Sequence, residues 1–142
     1  MQESHFHTSF SKETWDSFKS DQRPGPIDML NLIRLRDKAL YSDGTQSSGE
    51  EAFQRYSDIS QPIFERLGGR IVWRGTFELT MVGPDNETWD LAFIAQYPSV
   101  EAFVSLMKDA TYRQAMAHRQ AGVLDSRLIR LNPSSTGNSF AG

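Results

Sequence analysis

Residues 69–82, GRIVWRGTFELTMV, and residues 88–97, TWDLAFIAQY, are two strand-like runs with apolar side chains on both of their alternating faces. Successive side chains of a strand point to opposite sides of a sheet. The first run therefore sets Ile71, Trp73, Gly75, Phe77, Leu79 and Met81 on one face, with Val72 and Val82 among polar residues opposite. The second sets Trp89, Leu91, Phe93, Ala95 and Tyr97 against Asp90, Ala92, Ile94 and Gln96. A sheet that is apolar on both sides must be covered on both sides. The chain has helix enough for one side, and a second copy of the protein is the expected cover for the other. Between the runs, GPDNET at 83–88 reads as a hairpin loop, which makes the two strands antiparallel neighbours.

Working outward, residues 27–36 (IDMLNLIRLR) alternate Met29, Asn31, Ile33 and Leu35 with Leu30, Leu32, Arg34 and Arg36, a first strand whose middle is apolar both ways. Residues 50–67 place Phe53, Tyr56, Ile63 and Leu67 on one helical face, and Gly68–Gly69 is a stop signal where the chain can turn left-handed. Pro62 lies inside that pattern and is expected to kink or split the helix near Ser60. Pro98 ends the strand of 88–97, and Ser99 starts a helix that buries Ala102, Phe103, Leu106 and Met107. That helix is expected to break at 109–111 and resume to about Arg119, with Gly122 just past its end. Residues 123–131 (VLDSRLIRL) are a last strand. The order is β-α-β-β-α-β, a ferredoxin-like α+β arrangement with a four-stranded antiparallel sheet and its helices on one face.

Outside this domain, at 27–132, residues 1–26 form an extension with a short helix from about Ser11 to Ser20, closed by the breaker DQRPGP at 21–26. Residues 133–142 read as a polar, disordered tail. The chain of 142 residues supports one ordinary core without a staple. It has no cysteine, which excludes disulfides, thiolate metal sites and thiol nucleophiles and agrees with a cytoplasmic location. No signal peptide and no apolar run of the roughly 20 residues needed to span a bilayer are evident, so a membrane role is not expected. A net charge of −3 argues against a nucleic-acid surface.

Several segments together carry a resemblance: MLNLIRLR at 29–36, Tyr41, SGEEAFQRY at 48–56, GGRIVWRG at 68–75, WD at 89–90, YPSVEAF at 97–103 and AHRQAGVLDSRLI at 117–129. In these the chain resembles the domain of unknown function 1330 family. The resemblance implies the dimeric α+β barrel superfamily, in which two ferredoxin-like sheets face each other in a homodimer. It implies no single activity, because that superfamily spans cofactor-free monooxygenases, muconolactone-type isomerases, haem enzymes and small-molecule-binding regulators.

Candidate chemistry rests on a few side chains. Asn31 is an amide in an apolar strand face, and left unpaired it would cost about 1–3 kcal/mol, so it either orients a ligand in a cavity or bonds nearby backbone. His118 and Arg119 fall near a helix C-terminus, where the dipole favours cations; as a site, His118 would be the general acid or base and Arg119 the anion holder. Asp90 either pairs with Arg34, Arg70 or Arg74 across strands or orients His118, a part that Asp125 and Ser126 could also take. Trp73, Trp89, Phe77, Phe93 and Tyr97 are core, dimer interface or pocket lining, and Gly75 makes room for a ligand or marks a bulge. Tyr41, at the mouth of the loop after the first strand, could donate to a substrate oxygen or close the barrel end.

His5 and His7 form an H-x-H without a third ligand, so no metal site is expected. With no G-x-S-x-G, P-loop or G-x-G-x-x-G, no hydrolase nucleophile, nucleotide cradle or cofactor is expected. Two readings remain. One is a dimer that holds a small organic acid or carbonyl compound in an aromatic-lined pocket, with any reaction a cofactor-free proton transfer, isomerisation or oxygenation. The other is a non-catalytic metabolite-binding or protein-interaction dimer.

Overall fold

The computed structural model describes residues 6–142. Eight elements follow one another: α1 (Lys12–Ser20), β1 (Ile27–Leu35), α2 (Gly49–Arg66), β2 (Arg70–Gly75), β3 (Leu91–Tyr97), α3 (Val100–Lys108), α4 (Ala110–Gly122) and β4 (Val123–Leu131). The strands form one antiparallel sheet in the order β2-β3-β1-β4. With α2 and α3/α4 as the two crossovers, this is the ferredoxin-like topology, and a single chain makes an open sheet. No helix among the described residues is long and apolar enough to cross a membrane.

The register defines the two faces. Ile27 and Met29 of β1 stand beside Tyr97 and Ala95 of β3, and all four join Ile63, Phe64, Val100, Phe103 and Leu106 in the core between sheet and helices. The opposite face carries Leu30 and Leu32 of β1, Ala92 and Ile94 of β3, and Ile129 and Leu131 of β4. Nothing among the described residues packs over its middle: Ile129 and Leu131 are exposed and Ile94 is only partly covered.

Local chemistry explains most boundaries. Ser48 and Glu51 close a reciprocal capping box at the start of α2. Gly68, at φ +85°, ends it as its left-handed residue, with Gly69 N–H returning to Phe64 O at 2.9 Å. The expected break in the second crossover is real: Asp109 ends α3 and its carboxylate accepts from Tyr112 N–H at 2.9 Å as the N-cap of α4.

Four local expectations are corrected. α2 runs through Pro62 without splitting, because Pro62 and Asp58, whose carbonyl it leaves unpaired, both lie on the exposed side where water can serve that oxygen. β2 ends at Gly75, and residues 76–90 form a long connection rather than strand and tight hairpin. Alternation makes a strand only where a neighbour supplies the ladder, and Leu79, Met81 and Val82 instead stand 70%, 83% and 96% exposed. A bulge between Ile71 and Trp73 puts these two residues on opposite faces, so Ile71 and Arg74 turn to the helices and Trp73 to the open face. Gly122 is the last residue of α4, which passes straight into β4, and glycine is required there because a Cβ would lie 2.7 Å from Gly49 O.

Candidate functional site

Between the helix-side face of the sheet and the helices lies a cavity of about 1150 Å³. Its floor is a set of cross-strand rows. Arg74, Phe93, Asn31 and Leu128 follow one another across β2, β3, β1 and β4, and Ile71, Ala95, Met29 and Arg130 form the next row. Its roof comes from α2 (Phe53, Tyr56, Ser60, Phe64) and α3/α4 (Phe103, Tyr112, Met116, Arg119).

The N-terminal segment closes one side. His7 N–H donates to Asp125 Oδ1 at 2.8 Å and Ser126 Oγ donates to His7 O at 2.8 Å, which ties the segment to β4. Arg119 Nη1 donates to Thr8 O at 3.3 Å, and Arg130 holds Phe18 O at 3.1 Å and Asp21 O at 2.9 Å. Phe10, Trp15 and Phe18 stack in sequence, and Trp15 and Phe18 meet Phe103. Asp125 and Ser126 thus serve as pins for the extension rather than partners of His118.

The electrostatics of the lining are one-sided. Arg74, Lys108, Arg113, Arg119, Arg127 and Arg130 line the cavity, and no Asp or Glu does so among the described residues. Arg127 and Arg130 are engaged with carboxylates, Arg127 with Asp125 and Glu87 and Arg130 with Asp21. The guanidiniums of Arg74 and Arg113 make no hydrogen bond or ion pair with any described residue, and the one bond of the Arg119 guanidinium goes to a neutral carbonyl. Tyr56 and Tyr112 share a hydroxyl–hydroxyl hydrogen bond of 2.7 Å. Burial, reinforced by Tyr56, pushes the Tyr112 phenol well above its ordinary value, and burial does the same for Tyr97; both stay protonated near neutrality.

Of the candidate site residues read from the sequence, Asn31, Phe93, Tyr97, Arg119 and Ser126 line this cavity. Asn31 Nδ2 donates to Met29 O of its own strand at 3.0 Å, which leaves the side-chain oxygen without a partner among the described residues. His118 and Tyr41 meet each other outside that lining, with Tyr41 Oη 2.7 Å from His118 Nδ1, and Arg55 Nη1 donates to the same phenol at 3.1 Å.

Asp90 is not ion-paired with Arg34, Arg70 or Arg74. Its carboxylate accepts from Leu35 N–H and its own N–H donates to Ile33 O, each at 2.7 Å, which extends the sheet ladder past the end of β3. Trp89 lies under the Arg127 guanidinium at 5.1 Å. Trp73, half exposed on the open face, lies over Gly75, where a Cβ would come 3.0 Å from the indole.

Sequence reading missed Tyr56, Ser60, Arg74, Arg113 and Tyr112. Tyr56 and Ser60 are four residues apart, and Tyr112 and Arg119 seven, so helical spacing alone places each pair on one face. That the two faces meet is a tertiary fact.

Among the described residues no three His, Cys, Asp or Glu side chains gather to hold a metal ion. His5 lies outside the described residues.

The model of the domain of unknown function DUF1330 matches residues 44–130. The RPA0582 protein, described as of unknown function from Rhodopseudomonas palustris, is 52% identical; its methylated crystal structure superposes with a TM-score of 0.91 over 94% of this chain and 98% of that one. A second crystal structure of it, also 52% identical, gives 0.89 over 92% and 99%. A dimeric protein of unknown function and ferredoxin-like fold from Bacteroides fragilis is 11% identical, with a TM-score of 0.46 over 75% of this chain and 94% of that one. No curated protein matches the chain.

Proposed function

The chain belongs to the DUF1330 family, and from that premise we propose that it works as a homodimer, paired through the open sheet face, in which each protomer binds a small organic acid in the cavity between sheet and helices. The observation that carries this reading is the lining: no carboxylate among the described residues, and three guanidiniums, those of Arg74, Arg113 and Arg119, that no described carboxylate engages, in a chain whose net charge is −3. Such a cavity favours an anion, and its apolar floor and aromatic roof favour a ligand with a hydrophobic body.

Binding is preferred to turnover. The acid/base chemistry considered for His118 would have to occur at Tyr41, away from Asn31, Tyr97 and Arg119, and Asp90 is committed to backbone. The open face supports self-association because its apolar side chains, Trp73, Ile129 and Leu131 among them, are exposed in one chain.

The test is a thermal-shift screen of paired ligands, small acids beside their amides or esters. A ligand at 100 times its dissociation constant stabilises a protein by about 2.7 kcal/mol, so acids should raise the melting temperature where their neutral partners do not. Stabilisation by neutral carbonyl compounds alone would move the reading from acids to carbonyls, and no stabilisation by any member would favour the interaction module.

A further inference from the structure

The roof of the cavity holds more hydrogen-bond donors than the protein uses. Tyr56 and Tyr112 share one proton across their 2.7 Å contact, so whichever phenol accepts keeps its own O–H unassigned. Ser60, one helical turn beyond Tyr56 on the same face, is buried and its hydroxyl has no partner among the described residues. Arg119, two turns beyond Tyr112, places its guanidinium 5.9 Å from the centre of the Tyr56 ring. Among the described residues it spends only Nη1, on Thr8 O, which leaves Nε and Nη2 unassigned there.

Buried polar groups are ordinarily satisfied, and a cluster of spare donors with no carboxylate beside it is the complement of an oxyanion. We propose that Tyr56, Ser60, Tyr112 and Arg119 form the anion-holding end of the cavity, taking the carboxylate or sulfonate of an aromatic or alicyclic acid whose body lies over Phe93 and Met29. This placement rests on the acid-binding reading of the cavity. It sets Arg119 apart from Arg74, the unpaired cation at the opposite edge of the floor. Burial keeps the Tyr112 phenol protonated, and therefore a donor, across the neutral range. A carboxylate at Arg119 would also supply the charged acceptor that Thr8 O only approximates.

Two fluorescent probes that differ by one sulfonate separate the possibilities: 8-anilinonaphthalene-1-sulfonate and its neutral counterpart N-phenyl-1-naphthylamine, each titrated into the full chain. The sulfonate should bind more tightly by about tenfold, the worth of a charge-assisted hydrogen bond. Arg119→Gln and Tyr112→Phe should each erase most of that preference while changing the neutral probe far less, and a larger share of it should survive Arg74→Gln than survives either of them. Tyr56→Phe, which keeps the ring and its packing, replaces Arg119→Gln if that variant fails to fold by circular dichroism. Equal affinities for the two probes, a preference untouched by these variants, or one lost only in Arg74→Gln would overturn the placement while the cavity reading stands. Binding of neither probe would overturn both.

Discussion

The phenol of Tyr41 lies 2.7 Å from Nδ1 of His118, two residues 77 positions apart in the chain. Arg55 donates to the same phenol at 3.1 Å and to Ser47 Oγ at 2.9 Å. A guanidinium can only donate, so Tyr41 accepts from Arg55, and the phenol's own O–H is expected to go to His118. The neutral imidazole is then the Nε2–H tautomer, which nitrogen NMR shifts of His118 would report. Tyr41→Phe should lower stability by about 1 kcal/mol and release that tautomer preference. Because His118 does not line the cavity, His118→Ala should leave acid binding unchanged; a loss of affinity would bring the histidine into the site.

Homodimerisation is tested at Ile129, which stands opposite Leu30 on the open face. A carboxylate there would be buried without a partner in a face-to-face dimer. Ile129→Glu should weaken association by at least about 2 kcal/mol, roughly thirtyfold in dissociation constant, and shift the light-scattering mass toward one chain at low concentration. An unchanged mass would place the interface elsewhere.

Gly49 opens α2 against the end of the first strand, and a Cβ there would lie 1.9 Å from Arg36 O. Neither backbone can withdraw without disturbing the capping box, so Gly49→Ala should cost about 2–3 kcal/mol in denaturant unfolding. Gly44, at φ +82° with open space around it, offers the contrast: Gly44→Ala meets only conformational strain, about 1 kcal/mol.

Alkaline pH should destabilise the fold through Tyr97 and Tyr112. Burial raises both phenols above the unfolded value near 10, so the folded state holds protons that the unfolded chain releases. That contribution is complete below pH 10 and falls as pH rises beyond it, by at most about 1.4 kcal/mol per pH unit for each tyrosine. Asp109 acts in the opposite sense. Its bond from Tyr112 N–H, then Arg66, holds its carboxyl below the usual range, so its contribution is present above the unfolded value and is lost as pH falls through the folded one. Melting temperatures should decline at both ends, and Asp109→Asn, which keeps the cap acceptor, should flatten only the acid limb.

Much of the architecture was legible because its signals are local. The order of strands and helices, the stop at Gly68 and the break at Asp109 each follow from a few neighbouring residues. The apolar open face was legible for the same reason, since alternation within β1 and β3 needs no partner to be seen. The misreadings came where partners decide. Residues 76–82 alternate like a strand but join no ladder among the described residues, and Pro62 reads as a breaker until its exposed side is known.

The candidate site divides in the same way. Asn31 was conspicuous as an amide among apolar neighbours and Arg119 as a cation near a helix end, and both reach the cavity. Asp90 was conspicuous too, yet its carboxylate is spent on Leu35 N–H. Side-chain identity and spacing therefore determined which elements form and which residues carry polar chemistry. Tertiary structure decided which of them meet: a single bulge after Ile71 sends Arg74 to the cavity and Trp73 to the open face, and the packing of α2 on α4 joins Tyr56 to Tyr112. Helical and strand periodicity act over a few residues, whereas a cavity is built by contacts between residues far apart in the chain, whose geometry no local pattern encodes.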